Sequence, residues 1–389
     1  MLYSQKVRIF AVSNVNKVMY DQIRQDTLFI MLYAVVTAMA MLASCYLLFR
    51  RANAIAPDIT PPARLRRWTA AFFAILALNH LWYMPIFFLS SGGDIMMTDL
   101  IGGLLDSMTL FPVAIIVLLV MLQDRRRPLW PVAAIMAPFV IIAIFCVSTR
   151  SYAFLPIVYV YSLLMSIGLI IYMVRALRQY GRWLRDNYAD LEHKEVWQSF
   201  VVLASMMLVF AVYVFTSEGP VYQYAMQMII LVLICYLLWR VETLSDLSLS
   251  QQPESQPIDL SIPAKRESDV SQKVPTANIG PLLQKYCIDT QLYLQHDLNL
   301  SQLAHAIGTN RTYLTNYFIQ QGITYNAYIN DLRINHFINL YREAAATESS
   351  ITAQQLSHDS GYRSYSTFSL AFKQRMGQTV TAWMRNPTV

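Results

Sequence analysis

The sequence predicts an all-α chain divided between two solvents: a polytopic seven-helix transmembrane bundle, then a soluble helical domain with two helix-turn-helix units. Three observations predict it. Hydrophobic residues make up 56% of the 389 and charged residues only 14%, where a soluble globular chain carries about 25% charged residues. The long apolar runs nearly all fall before Arg240. Beyond it the composition is that of an ordinary soluble protein, with apolar positions recurring at helical spacing.

An apolar helix needs about 20 residues to cross a hydrocarbon core about 30 Å thick. Thr27–Phe49, Trp68–Leu89, Ile101–Leu122, Leu129–Val147, Tyr152–Val174, Ser199–Thr216 and Val221–Trp239 meet that test, which sets a transmembrane domain at 27–240. The first segment starts too deep and runs too long for a signal peptide, and no small-residue cleavage pattern follows it. Pro85, Pro112, Pro131, Pro138 and Pro156 are expected to interrupt these helices, which membrane helices tolerate because neighbours satisfy the freed carbonyls.

Basic residues give the direction. The links after the first, third and fifth segments hold Arg50, Arg51, Arg64, Arg66 and Arg67, then "DRRRP", then Arg175, Arg178, Arg182, Arg185 and Lys194. The alternate links, "SSGGDIMMTD", "STRS" and "SEGP", hold Arg150 alone. The alternation places residues 1–26 outside, despite Lys6, Arg8, Lys17 and Arg24, and the C-terminus in the cytoplasm. From Val241 to Gly280 the chain is rich in Ser, Gln and Pro, which predicts a mostly disordered cytoplasmic tether. As a flexible coil of about 40 residues it spans roughly 35 Å on average.

In the soluble domain, 281–389, "LNLSQLAHAIG" puts Leu300, Leu303, Ala304 and Ile307 on one helix face. Asn299 is the expected cap, with Gln302 as its capping-box partner. Gly308 supplies a positive-φ turn. Asn310 caps the next helix, "RTYLTNYF", with Tyr313, Leu314, Tyr317 and Phe318 inward. About fifty residues on, "AQQLSHDSGYRSYSTFSLAFKQRMG" repeats the plan, with Leu356 on the face, Gly361 at the turn, Ser364 as cap, and Phe368 and Phe372 inward. One long helix joins them, offering Tyr328, Ile329, Leu332, Phe337, Ile338 and Tyr341 for packing. Two such heads suit successive major-groove faces about 34 Å apart along a duplex.

The order and spacing of "LSQLAHAIGTNRTYLTNYF", "GITYNAYINDLRI", "GYRSYSTFSLAFK" and "RMGQTVTAWMR" resemble the DNA-binding domain of the AraC/XylS family of bacterial transcription regulators, over roughly the last quarter of the chain. The resemblance implies base reading by Thr312, Thr315 and Asn316 in the first unit and by Ser366, Thr367 and Leu370 in the second. It leaves Arg311, Arg363 and Lys373 placed for phosphates. Thr and Ser bond several base edges and Asn pairs with adenine; Leu370 would meet a thymine methyl or pack. Leu370, Asn316, Ser357 and Ala353 depart from the family's usual residues. From Thr276 onward eight Lys/Arg face six Asp/Glu, so electrostatic grip on DNA is expected to be weak.

Within the membrane segments, His80 beside Asn79 and Asp106 are candidates for sensing, because ionisable groups in lipid are costly unless they act or pair. Tyr222, Gln223, Tyr224 and Gln227 of the seventh segment, with Trp82 and Tyr83, are expected at similar depth. The competing reading is mutual satisfaction of polar groups within an aromatic interface belt. No HExxH, nucleophile elbow, phosphate-binding Gly loop or Cys/His cluster is present. No catalysis, metal or cofactor is therefore expected. Cys45, Cys146, Cys235 and Cys287 are scattered and read as buried hydrophobes. The expected function is a one-component sensor in the bacterial inner membrane, with duplex DNA, the lipid bilayer, an envelope or small-molecule stimulus and a second copy of the chain as partners. The alternative is a transporter-like protein whose helix-turn-helix tail serves regulation or protein interaction.

Overall fold

The computed structural model describes residues 26–89, 92–149, 155–205, 220–247, 279–347 and 352–385. Among them there are helices and one isolated bridge, Tyr188 to Asn299, and no strand. They form two compact units, one drawn from 1–178 and 196–246, the other from 179–195 and 247–389.

In the first unit, helix α1 is Thr27–Phe49, and its first turn is capped by the Asp26 carboxylate, which accepts from the amides of Leu28 and Phe29. Helix α2, Ala63–Tyr83, tightens into a 3-10 turn over Met84–Phe88. Pro85 has no N–H for the Leu81 carbonyl, and the Met84 amide takes that carbonyl instead. Helices α3 (Gly92–Met108) and α4 (Leu110–Met121) divide at Thr109 what the sequence suggested as one crossing. The cause is Pro112, which lacks the N–H that would bond Met108 and whose ring would strike that carbonyl. Helix α5 is Trp130–Thr149 and α6 is Leu155–Asn187. Residues 197–205 are helical, and α7 is Pro220–Thr243. Pro131 and Pro156 thus sit in first turns, where no amide is missed, and Pro138 alone of the five lies inside a helix.

Helices α1, α2 and α7 share a core of Val36, Ala40, Leu47, Leu65, Phe73, Leu76, Ile234 and Leu237. The Ser44 hydroxyl donates to the Ala70 carbonyl at 2.9 Å, a contact that small residues on both helices permit. The same helices expose Leu28, Leu42, Phe49 and Val221, and α6 exposes Leu163, Leu164 and Ile170. Among the described residues, five helical stretches are long and apolar enough to cross a membrane, by length and composition: Thr27–Phe49, Ala63–Phe88, Ile101–Met121 (across the break at Thr109), Leu163–Asn187 and Gln223–Thr243. At the expected fourth crossing a shorter apolar stretch, Trp130–Ile142, lies within α5, and most of the expected sixth lies outside the described residues. So do residues 1–25 and most of the linker. Basic residues are held near helix ends: Arg50 pairs with the buried Glu242 of α7 at 2.9 Å, Arg127 donates to the Leu122 carbonyl past the end of α4 at 2.9 Å, and Arg240 in the last turn of α7 donates to Ser199 at 2.7 Å.

In the second unit, α8 (Ile279–Leu283) widens into a π turn over Gln284–Ile288. Helices α9 (Leu300–Ala306), α10 (Arg311–Gln320), α11 (Tyr325–Ala346), α12 (Ala353–Asp359), α13 (Tyr365–Met376) and α14 (Val380–Arg385) follow. Two cores form on either half of α11. The first gathers Ile279, Leu283, Cys287, Leu300, Leu303, Ala304, Ile307, Leu314, Phe318 and Ile329. The second gathers Ile334, Phe337, Leu356, Tyr362, Phe368, Phe372, Val380 and Trp383.

Candidate nucleic-acid interface

Helices α9 and α10 form the first head. Asn299 and Gln302 exchange side-chain-to-amide bonds of 2.9 Å in both directions, closing the expected capping box. Gly308 turns the chain at φ +72°, and the Thr309 amide bonds back to the Ala304 carbonyl. Asn310 then caps α10 by accepting from the Tyr313 amide. With Leu314 and Phe318 buried and Tyr313 and Tyr317 packed against them, the opposite face is left to solvent. There Arg311, Thr312 and Asn316 are exposed. Thr315 is half-buried, its hydroxyl donating to the Arg311 carbonyl at 2.8 Å.

Helices α12 and α13 form the second head. Thr352 caps α12, Gly361 turns at φ +87°, and Ser364 caps α13 by accepting from the Thr367 amide. A side chain at 361 would lie 2.7 Å from the Leu294 carbonyl oxygen, so the turn requires glycine for space as well as for backbone angle. Ser357 is buried and returns its hydroxyl to the Gln354 carbonyl, which explains a polar residue in that core position. Ser366, Lys373 and Leu370 are exposed. Leu370 is 61% exposed, so of its two expected roles the structure favours presentation over packing.

Two placements went unread in the sequence. Arg363, expected at phosphate, reaches Asp297 at 3.2 Å. The Thr367 hydroxyl lies 2.9 Å from Glu192, which also accepts from Ser364. Glu192 belongs to residues 179–195, a stretch that sequence reading treats only as a basic link and that packs within this unit. Its one prior signal was the acidic run after the arginines, "DNYADLEHKE".

Arg333 was also unforeseen. It is fully buried in α11 and donates to the carbonyls of Tyr293 at 2.7 Å and Gln295 at 2.6 Å, with its guanidinium 5.5 Å from the Tyr362 ring. Burial holds its pKa below the ordinary arginine value, yet the two carbonyls and the ring give the cation partners on both halves of the domain. Burial likewise raises the Cys287 thiol to about 11, which leaves it a small core residue and an inert one.

The candidate sensing residues sit in the first unit. His80 is buried, with Nδ1 2.9 Å from the Leu76 carbonyl and Nε2 3.0 Å from the Gln227 side-chain amide. The Tyr33 hydroxyl donates to the His80 carbonyl. Asp106 accepts from Asn79 at 2.5 Å and from the Tyr83 hydroxyl at 3.1 Å. Gly102 lets the Tyr83 ring lie against α3, since a Cβ there would stand 2.4 Å from the ring. His80 and Asp106, both candidates for sensing, therefore take separate hydrogen-bond partners. Gln223 is half-buried, Tyr224 donates to Asp26 at 2.7 Å, and the Tyr222 side chain lies outside the described set. Among the described residues no group of His, Cys, Asp and Glu could hold a metal ion.

Residues 303–386 match the family model of a helix-turn-helix domain. No curated protein and no solved structure matches the chain.

Proposed function

We propose that this chain is a membrane-embedded one-component sensor that regulates transcription by binding DNA through an AraC-type C-terminal domain, a reading supported by the helix-turn-helix match over residues 303–386. The observation that carries the reading is a pair of capped recognition helices, α10 and α13, in one polypeptide with five helical stretches long and apolar enough to cross a bilayer. Thr312, Thr315 and Asn316 read bases from the first head, and Ser366, Thr367 and Leu370 from the second. Arg311, Lys373 and Arg363 hold phosphates, Arg363 after leaving Asp297. Recognition helices present their N-terminal residues to the groove, which is where these positions fall.

The stimulus acts on the buried polar groups of the first unit. The His80 ring lies between two oxygens, the Leu76 carbonyl at Nδ1 and the Gln227 side-chain oxygen at Nε2, and so ties α2 to α7. A ligand that takes over this bond, or that replaces Asn79 or Tyr83 on Asp106, favours one arrangement of α2, α3 and α7 over another. The apolar outer faces of α1 and α6 support placement in lipid, and the basic links support a cytoplasmic tail.

Crosslinking of the full-length chain in cells, followed by sequencing of DNA recovered with the membrane fraction, tests the reading. Enrichment at discrete promoters is expected. Recovery of no specific DNA from membranes, or of the chain solely from the soluble fraction, would refute it.

A further inference from the structure

We propose that residues 188–195 form a built-in lock on the second recognition helix, with the Glu192 carboxylate standing in for DNA. The inference rests on the DNA-reading role proposed above and adds how that site is regulated. Glu192 accepts from Ser364, the N-cap of α13, and from the Thr367 hydroxyl at 2.9 Å; Ser364 in turn lies 2.9 Å from the exposed Ser366. These are the hydroxyls at the groove-entering end of the helix. A helix N-terminus with its unpaired amides favours an anion, and a DNA phosphate and a carboxylate compete for that place. While Glu192 holds it, the duplex meets a like charge where it needs a donor.

The segment is docked, not merely adjacent. Tyr188 bridges Asn299, the cap of the first head. The Asn326 amide donates to the carbonyls of Ala189 at 2.6 Å and Tyr188 at 3.2 Å, and Ala189 is buried in the first core. Tyr180 donates to the Lys194 carbonyl at 2.8 Å, and Lys194 reaches toward Asp297 at 4.0 Å. Asp297 also holds Arg363, so the same cluster withdraws a candidate phosphate contact. The lock therefore spans both heads: its backbone is fastened to α9 and α11 and the Glu192 carboxylate to α13.

The segment is also the direct continuation of α6, whose stretch Leu163–Asn187 is apolar and long enough to cross a bilayer. A shift of that helix pulls on Tyr188 and Ala189 through the chain itself, with no need for the long linker to carry a signal. Two states follow: Glu192 seated and the second head closed, or Glu192 withdrawn and the hydroxyls of Ser364, Ser366 and Thr367 open to DNA.

Full-length wild-type and Glu192→Ala chains in lipid nanodiscs, each used to select duplexes from a random library and then titrated with the enriched duplex, provide the test. If the seated state holds about nine-tenths of molecules, apparent affinity is reduced about tenfold, and Glu192→Ala recovers that factor. Equal affinity of the two chains for the same enriched duplex overturns the lock while leaving the DNA-reading role standing. Enrichment of no duplex by either chain overturns that role, and the lock with it. A second measurement needs no variant: saturating duplex added to the wild-type chain should speed amide hydrogen exchange across residues 188–193. Unchanged or slower exchange there, with DNA bound, refutes displacement of the segment.

Discussion

The two heads follow one plan and are finished differently. Each has a cap, a short helix, a glycine turn and a second capped helix. The first is closed by a mixed core, the aliphatic Leu303, Ile307 and Leu314 with Phe318 set among Tyr317, Tyr325 and Tyr328, and a Cβ at its turn glycine Gly308 would meet nothing within 4 Å. The second is closed by aromatics: Phe337 lies 4.4 Å from Phe368 and 5.8 Å from Phe372, with Trp383 and Tyr362 around them, and its turn is pressed on Leu294. Only on the second head does a carboxylate from outside the head sit on the recognition helix, among the described residues. A turn pressed on backbone suits a head that must be held in register against a lock, because backbone cannot rotate away as a side chain can. The first head, with its reading face exposed, is suited to first contact with DNA.

If the comparison is right, the largest effect comes from Phe337→Ala. Removing a fully buried ring at the centre of the aromatic cluster destabilises by about 3–5 kcal/mol. Hydrogen exchange should rise across 353–385 and much less across 300–320. Equal loss of protection in both heads would show one cooperative core and break the distinction.

The turn glycines sharpen it next. Gly308→Ala carries only the left-handed backbone penalty, roughly 1–2 kcal/mol. Gly361→Ala adds a collision with backbone, which cannot rotate away as a flexible side chain would. Thermal unfolding of the full chain should therefore fall further for Gly361→Ala, and equal midpoints would deny the second head its tighter seat.

Base reading separates the heads by a smaller amount. Asn316→Ala should lose about 1–3 kcal/mol of discrimination at a single base pair, the worth of one bidentate contact. Leu370→Ala, which gives up no hydrogen bond, should lose less and only against thymine. Duplex selection with each variant checks both, and a shift at several positions for Asn316→Ala would mean a backbone role for that residue.

The parts legible in the sequence are those governed by local rules. Asn299 with Gln302, Asn310, Ser364, Gly308 and Gly361 all stand where capping and turn chemistry put them, and Phe368 and Phe372 are buried at the expected spacing. Arg333 was illegible because helical periodicity marks a charged residue as a surface one, whereas its partners are carbonyls about forty positions earlier. Glu192 was illegible for a related reason. Its segment is held by side chains reaching backbone carbonyls, as Asn326 does, and such bonds leave no hydrophobic pattern. The break at Thr109 could have been read from Pro112, whose effect falls on the carbonyl four residues back.

The smallest effect concerns the joint between the heads. His336 on α11 stands beside Tyr293, with Nδ1 3.5 Å from its hydroxyl and the two rings edge-to-face. Burial lowers its pKa below 6.5, only partly opposed by Glu343 and Asp359. A histidine with a lowered folded value binds its proton more readily when unfolded, so its contribution to stability is intact above pH 6.5 and lost as pH falls toward the folded value. Acidification from pH 7.5 to 5.5 should thus lower the unfolding midpoint of the wild-type chain more than that of His336→Gln. Exchange near Tyr293 should rise first. If the two chains show the same acid slope, this histidine does not sense the joint, and the acid sensitivity of the domain must lie with its other titrating groups.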